Sequence, residues 1–450
     1  MEELASQGMK FTSAYACNVC SPTRVSLMTG LSALRHRVTD WTLAKVPAGK
    51  IGRKGKGPMT PPIWNANGLS PKAGVPLTIH AKSLPAYLKD VGYRTIHVGK
   101  AHFGAIGTPA ADPKNIGFDI NIAGHAAGGL STYQGIKKFA RNPKKPGSSH
   151  WDVPGLEKYH GKDIFLTEAL TLEANLAMNQ AVKDKTPFFL YMSHYAIHTP
   201  LNEDKRFIDK YLKKGLHPTE AKYAALIEGM DKSLGDIIAN VERLGQSDNT
   251  IILFMSDNGG LSAVARAGKK HTHNAPLKSG KGSIHEGGIR VPMLVKWPGV
   301  TKAASACDEN VIIEDFFSTL LEMAGVKDPK QIGGIIDGIS FVPLLKGGKA
   351  DSKRPLLFHY PNNWGPKGPG INFCSAMRRG KWKLIFYHDK NRQANQFELY
   401  DLSTDIEEKN NLIDQYPEVS SELKKLLKAK FKELKAQMPL LNGESVAFPE

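Results

Sequence analysis

The sequence predicts an α/β fold: a mostly parallel sheet sandwiched between helices over residues 1–348, then a small C-terminal α+β antiparallel-sheet subdomain over 349–450. Three observations predict it. Nearly continuous apolar runs alternate with helical patterns through most of the chain, as strands covered on both faces require. After about residue 350 the runs shorten and follow one another across turns, the pattern of an antiparallel sheet. The composition, 41% hydrophobic and 23% charged, supplies enough apolar surface for a sizeable core and excludes a disordered or repetitive chain.

The elements follow in order. Glu2, Glu3, Leu4 and Ala5 are helix formers, and no strand is evident ahead of Cys17. Cys20-Ser-Pro-Thr-Arg24 opens a helix that closes at Thr29-Gly30, and Pro22 suits its first turn, where a missing N–H costs nothing. Residues 83–91 form a helix leading into the strand Tyr93-Arg-Thr-Ile-His-Val98. Helices over 163–182 and 220–244 alternate with the strands Phe188-Phe-Leu-Tyr-Met192 and Ile251-Ile-Leu-Phe-Met255. Val291-Pro-Met-Leu-Val295 is the next strand and 309–324 the next helix. Short strands over 355–360, 376–379, 382–387 and 397–400 precede an amphipathic helix over 418–437. Loops at 44–76 and 104–154 are long for a compact domain, and such loops carry binding function.

With 60 Lys and Arg against 43 Asp and Glu, the formal charge is +17. It is spread out; the clearest cluster is Lys50, Arg53, Lys54 and Lys56, and no aromatics alternate with it as single-strand binding requires, which argues against nucleic acid. The best apolar run, 187–197, is too short for a membrane span and is broken by Ser193 and His194. Four cysteines do not make a disulfide framework in a chain this long. Cys17 and Cys20 form a C-x-x-C, yet nothing in the sequence completes a zinc tetrad and no strand of a redox βαβ unit leads into it. The opening residues lack the basic and apolar stretches of a secretory signal.

Chemistry concentrates at Cys20. At a helix start, the dipole and free N–H groups favour an anion, and Arg24, one turn on, presents a fork matched to an oxyanion. A reactive side chain, a helix N-terminus and an arginine make a site for a tetrahedral anion. Gly99-Lys-Ala-His102, His198 in Tyr195-Ala-Ile-His-Thr-Pro200, and Ser256-Asp-Asn-Gly259 each follow a predicted strand, the edge where open α/β sheets place their sites. Asp257 and Asn258 are hard oxygen donors suited to Ca²⁺ or Mg²⁺ rather than zinc.

Cys20-x-Pro22-x-Arg24 with its Thr29-Gly30 resembles the signature of the type I, formylglycine-dependent sulfatases of the alkaline phosphatase superfamily. Lys100 with His102, His198, Asp257 with Asn258, and Lys281 in Ser279-Gly-Lys-Gly-Ser283 recur in family order, and Phe397-Glu-Leu-Tyr-Asp-Leu402 resembles the family's C-terminal segment. The resemblance implies a sulfuric ester hydrolase in which a maturation enzyme oxidises Cys20 to formylglycine. Its hydrate would attack sulfur while Lys100 and a divalent metal on Asp257, Asn258 and residue 20 neutralise the sulfate oxygens. Arg24 would hold the nucleophile, Asp257 help deprotonate it, His198 and Lys281 serve the departing alcohol, and His102 help release sulfate. The long loops and basic balance favour a sulfated carbohydrate, with His271, His273, His359 and Trp364 as candidate substrate contacts. One feature of the family is missing. No Asp-Asp precedes Cys20, and the resemblance implies that the chain begins inside the helix leading to the cysteine motif, so that a first strand and two metal ligands are absent. A shortened start would also account for the missing export signal of a periplasmic or extracellular enzyme. Two alternatives stay open: a phosphonate or phosphodiester hydrolase of the same superfamily, and an inactive relative that binds anionic polysaccharide.

Overall fold

The structure, a computed structural model, describes residues 1–51, 57–264, 266–326, 335–351, 353–389 and 396–449. Arg53, Lys54 and Lys56 of the basic loop lie outside the described residues. The principal helices are α1 (Glu2–Gln7), α2 (Cys20–Thr29), α3 (Leu84–Asp90), α4 (Leu166–Lys183), α5 (Pro218–Arg243), α6 (Asp315–Met323) and α7 (Pro417–Glu433). The principal strands of the first part are β1 (Met9–Tyr15), β2 (Arg94–Gly99), β3 (Ile120–Ile122), β4 (Phe188–Ser193), β5 (Ile252–Met255), β6 (Arg290–Lys296), β7 (Ser305–Cys307) and β8 (Val311–Ile312). The last part contributes β9 (Leu356–Tyr360), β10 (Cys374–Arg379), β11 (Trp382–Tyr387) and β12 (Phe397–Asp401).

The α/β class holds, with a parallel-containing central sheet and a C-terminal antiparallel sheet. β2 pairs in parallel with β3 and β4, and β1 pairs in parallel with β7 and β8. Three local expectations need correction. A strand does precede Cys17: the helix ends at Gly8, whose close approach to the Val295 carbonyl leaves no room for a Cβ, and β1 follows with Met9 and Phe11 buried and Lys10 and Thr12 exposed. β6 runs antiparallel to both β1 and β5, so the sheet is mixed. The expected helix over 309–324 forms only from Asp315. The Asp315 carboxylate accepts the Ile312 N–H at 3.0 Å and two Arg354 bonds at 2.9 and 2.6 Å, which fixes the helix start and leaves Val311–Ile312 to pair with β1.

The main core lies where α2, α3 and α6 cover β1 and its neighbours, with Phe11, Met28, Leu84, Phe316 and Phe317 buried together. A second core packs Leu166, Leu170 and Ala174 of α4 against Ile96 and Val98 of β2. Strands β9 to β12 form an antiparallel sheet in sequence order, and Leu423, Leu427 and Phe431 of α7 are buried in its core.

β4 and β5 are each the last strand of their sheet. A cavity of about 1760 Å³ is lined by both strands together with Ile227, Leu234 and Ile237 of α5 and Phe316, Leu320 and Met323 of α6. β2, one strand away, is buried from Thr95 to Gly99, whereas β5 is only half-buried throughout and β4 is half-buried up to Met192. The slot between two strand edges ends at Ser193 and Ser256, beside the residues described next.

Candidate active site

β1 ends at Tyr15 and the chain turns through Ala16–Val19 into α2, so Cys20 is the first residue of a wholly buried helix and is itself 4% exposed. Thr23 ties this helix to the end of β5, its hydroxyl donating to the Asp257 carbonyl at 2.7 Å and accepting from the Cys17 N–H at 3.0 Å. Arg24, on the next turn, uses its whole fork. Nε and Nη2 donate to Asp257 Oδ2 at 3.0 and 2.8 Å, while Nη1 donates to the Lys100 carbonyl at 2.8 Å and to Ser193 Oγ at 2.6 Å. One arginine therefore pins together the ends of β2, β4 and β5, a geometry that a lysine, with its single ammonium, does not reproduce.

The side chains around Cys20 come from three further elements. Asn258 Oδ1 lies 3.4 Å from the Cys20 sulfur, and Lys281 Nζ approaches it at 3.4 Å from the opposite loop. Lys100 Nζ stands 3.7 Å from Asp257 Oδ2. Asn18 secures the Lys281 loop to the Cys20 turn with two bonds, its side-chain amide donating to the Gly282 carbonyl at 3.0 Å and its backbone carbonyl accepting the Gly282 N–H at 2.8 Å.

The electrostatics follow from this crowding. Burial and Asp257 push the Cys20 thiol up, but Lys100, Lys281 and Arg24 together outweigh them and hold it below the ordinary thiol value. Burial opposes the Asp257 charge too, and the same three cations hold its carboxyl far below the usual range. Burial lowers Lys100, with Arg24 and Lys281 adding to the fall against Cys20 and Asp257. Burial, with Lys100 and Arg24, drives His102 well below its ordinary value; burial, with Lys281 and Lys100, does the same to His198. Three cations facing one carboxylate leave an anion hole.

Ten of the expected site residues line the one cavity: Cys20, Arg24, Lys100, His102, His198, Asp257, Asn258, Lys281, His273 and Trp364. His102 Nε2 meets the Thr42 carbonyl at 2.8 Å, and His198 Nδ1 meets the Thr199 carbonyl at 2.8 Å, which leaves the His198 Nε2 edge for a ligand. Trp364 lies against Gly282, next to Lys281. His273 turns its Nε2 to the Ala267 carbonyl at 2.8 Å and so serves its own loop. Two candidates fall outside. His271 spends its nitrogens on Ser279 Oγ at 3.2 Å and the Lys367 carbonyl at 3.1 Å. His359 corrects the sequence reading outright: it is 5% exposed in the core of the C-terminal sheet, bound to Ser375 Oγ at 2.7 Å and the Gln437 carbonyl at 2.9 Å, because its strand alternation turns it inward. Cys17 does not act with Cys20, since both thiols are free and burial pushes Cys17 up to about 12.

Sequence reading missed Ser193, Asn18 and Gly128. The Gly128-Gly129 pair stood in plain view as a close-approach signal. A Cβ on Gly128 would meet the His102 ring at 2.1 Å, and one on Gly129 the His198 ring at 3.1 Å, so this loop packs directly on both histidines.

The metal needs its own test. Asp257 and Asn258 are oxygen donors, but among the described residues no group of three His, Cys, Asp or Glu side chains could hold a metal ion. Asp257 Oδ2 is moreover occupied by Arg24. Two side-chain donors fall short of the roughly six to eight oxygens Ca²⁺ takes, so the residues present do not by themselves fit a tightly held Ca²⁺.

A profile of the family described as Sulfatase matches residues 1–326. The chain belongs to the sulfatase family. A second profile, described as N-sulphoglucosamine sulphohydrolase, C-terminal, matches residues 280–437. The chain is similar to a sulfatase of Formosa agariphila, 30% identical over 93% of this chain and 79% of that one, and to the N-acetylgalactosamine-6-sulfatase of Mus musculus, 28% identical over 83% and 70%. Among solved structures it is similar to Ps i-CgsB in complex with k-i-k-neocarrahexaose, with TM-score 0.74, 25% identity, and coverage of 99% of this chain and 88% of that one. As a member of this family the chain is a sulfuric ester hydrolase. No helix among the described residues is long and apolar enough to cross a membrane.

Proposed function

We propose that this sulfatase removes sulfate from a sulfated carbohydrate by means of a formylglycine formed from Cys20. The observation that carries the reading is the convergence of Lys281 and Asn258 on the Cys20 sulfur at 3.4 Å each, with Arg24 and Lys100 behind it. The buried residue at the start of α2 fits the modification. Once oxidised, residue 20 supplies a hydrated aldehyde, an oxygen nucleophile that a thiol cannot replace.

The remaining chemistry belongs to the chain's own residues. Lys100 and Lys281, with the N-terminus of α2, receive the sulfate oxygens in a buried site where charge is weakly screened. Arg24 holds Asp257 and so the rear wall of the hole. His198 and His102 are held well below their ordinary value in the free site, and an arriving sulfate, with its opposite charge, raises their affinity for a proton, which His198 can offer to the departing alcohol while His102 serves the release of sulfate. Trp41, Trp151 and Trp364 line the same cavity and offer faces on which sugar rings stack. The carbohydrate reading draws support from the similarity to an N-acetylgalactosamine-6-sulfatase and to a protein solved in complex with a neocarrahexaose.

Asp257 and Asn258 are the side-chain oxygens a Ca²⁺ or Mg²⁺ ion would meet, and the ion would need further ligands that the described residues do not supply. The incomplete set is also what favours the second reading, a carbohydrate-binding relative without turnover.

The test co-expresses the chain with a formylglycine-generating enzyme, measures the mass of the 11–24 peptide, and assays sulfate release from sulfated amino-sugar and galactan oligosaccharides. An aldehyde mass with sulfate release is expected. A phosphodiester and an aryl sulfate serve as controls, and faster phosphodiester hydrolysis would move the assignment to the related superfamily branch. Unmodified Cys20 with oligosaccharide binding but no turnover would establish the binder.

A further inference from the structure

The loop that carries Lys281 is held at both its ends by a single residue more than a hundred positions away. At the loop's start, Lys278 Nζ donates to the Glu408 carbonyl at 2.8 Å. At its end, the Glu408 carboxylate accepts the Glu286 N–H at 2.7 Å and pairs with His285 Nδ1 at 3.0 Å. Lys383 of β11, wholly buried, bridges Glu408 Oε1 and Glu286 Oε1 at 2.8 Å each. Glu286 completes the set by accepting the Tyr15 hydroxyl at 2.7 Å and facing Arg290 at 3.4 Å, which ties the cluster to β1 and β6. Lys383, Glu286 and Glu408 have no exposed side-chain surface.

We propose that Glu408, with Lys383 as its partner, is the positioning residue for Lys281. Three features point beyond simple stability. First, every contact Glu408 makes with the loop falls at Lys278, His285 or Glu286, the residues that bracket Lys281. Second, Glu408 adopts a left-handed backbone conformation, φ 52°, a conformation that persists in a non-glycine residue only where the surroundings demand it. Third, the loop is closed tightly on itself: a Cβ on Gly288 would meet the Ser283 carbonyl at 2.0 Å, so its ends and its apex move as one body. Two buried carboxylates face Lys383 and Arg290, with His285 Nδ1 beside Glu408. Removing the Glu408 charge leaves Lys383 short of a partner and weakens the hold on the loop's end, so that the loop can shift against the Asn18–Gly282 bonds that remain. Lys281, 3.4 Å from the Cys20 sulfur, shifts with it.

The inference rests on the sulfatase reading of the site, and the test separates the two. Glu408→Gln, Lys281→Met and the double variant are made in the matured full chain. Amide hydrogen exchange of residues 278–286 is followed alongside kcat and KM on the sulfated oligosaccharide. Glu408→Gln is expected to speed exchange in the loop at least tenfold and to lower kcat by about 10- to 100-fold with KM changed less than about threefold. In the Lys281→Met background the same change is expected to cost nothing further in kcat. Should Glu408→Gln fail to fold, Lys278→Met, which removes the bond at the loop's start together with the Lys278 contact to the Tyr400 ring, carries the same measurements. Unchanged exchange, or full additivity with Lys281→Met, overturns the positioning role. If the wild-type chain lacks sulfatase turnover altogether, the functional reading has failed, and the exchange experiment alone still decides whether Glu408 holds the loop.

Discussion

Arg24 should be the most costly side chain to change in the site, and its replacement tests the architecture directly. It makes four hydrogen bonds between 2.6 and 3.0 Å and is 5% exposed. Arg24→Lys keeps the charge but reaches either Asp257 or the Lys100 carbonyl and Ser193, not both. Losing two charge-assisted bonds at about 1.5–3 kcal/mol each, with part recovered by the retained charge, gives an expected loss of about 2–4 kcal/mol. Arg24→Ala leaves Asp257 with Lys100 at 3.7 Å and the field of Lys281, without a hydrogen-bonded cation, and should cost about 3–5 kcal/mol. The Asp257 side chain is 26% exposed, so solvent screening trims the ion-pair share of these figures. Urea unfolding followed by circular dichroism measures each loss, and a double-mutant cycle with Asp257→Asn isolates the pair. A coupling energy of about 2 kcal/mol is expected. A value below about 0.5 kcal/mol, the scatter of independent sites, would refute the claim that this pair holds the strand ends together.

Further predictions concern chemistry and pH. Lys281→Met should lower kcat by about 10²–10³ on a sulfate ester, the loss typical of one removed electrostatic donor, and an unchanged kcat would take Lys281 out of the reaction. Burial, with Asp315 adding to it, raises the Glu314 carboxyl to about 8, so the folded protein binds this proton more tightly than the unfolded chain does. Its contribution is full below about pH 4.5 and is lost as pH rises through about 8; thermal scans should show Tm falling over that range and Glu314→Gln removing most of the fall, whereas parallel curves would contradict the assignment. His359→Ala should cost about 1–3 kcal/mol of stability, read by urea unfolding, and leave KM unchanged. Calorimetric titration should find Ca²⁺ binding to this chain no tighter than about 1 mM, and micromolar binding would show that the donor count is wrong.

Much of the site was readable along the chain because its parts are local. Cys20 and Arg24 share one helix four residues apart, and Lys100, His198 and Asp257 each follow a strand, so the alternation of strands and helices already brings them to one edge. Other features were not local. The antiparallel course of β6 depends on the end at which the chain re-enters the sheet, and Val291-Pro-Met-Leu-Val295 is equally apolar in either direction. β1 was overlooked because its seven residues follow a helix after one glycine. His359 looked available beside Trp364, although the pleat of β9 turns the histidine into the core while the tryptophan lies by Gly282.

By itself, the sequence determined the fold class and the helix that presents Cys20, since these rest on periodicity, capping and spacing over a few residues, and the ordered set of anion-binding side chains was legible through the motifs that resemble the sulfatase family. Only the tertiary structure decided that Arg24 grips Asp257, that β4 and β5 leave a slot between them, and that Glu408 and Lys383 secure the Lys281 loop. Those are relations between residues tens to hundreds of positions apart. Their strength comes from burial and from a choice of partner among many like charges, and neither is visible until the chain has folded.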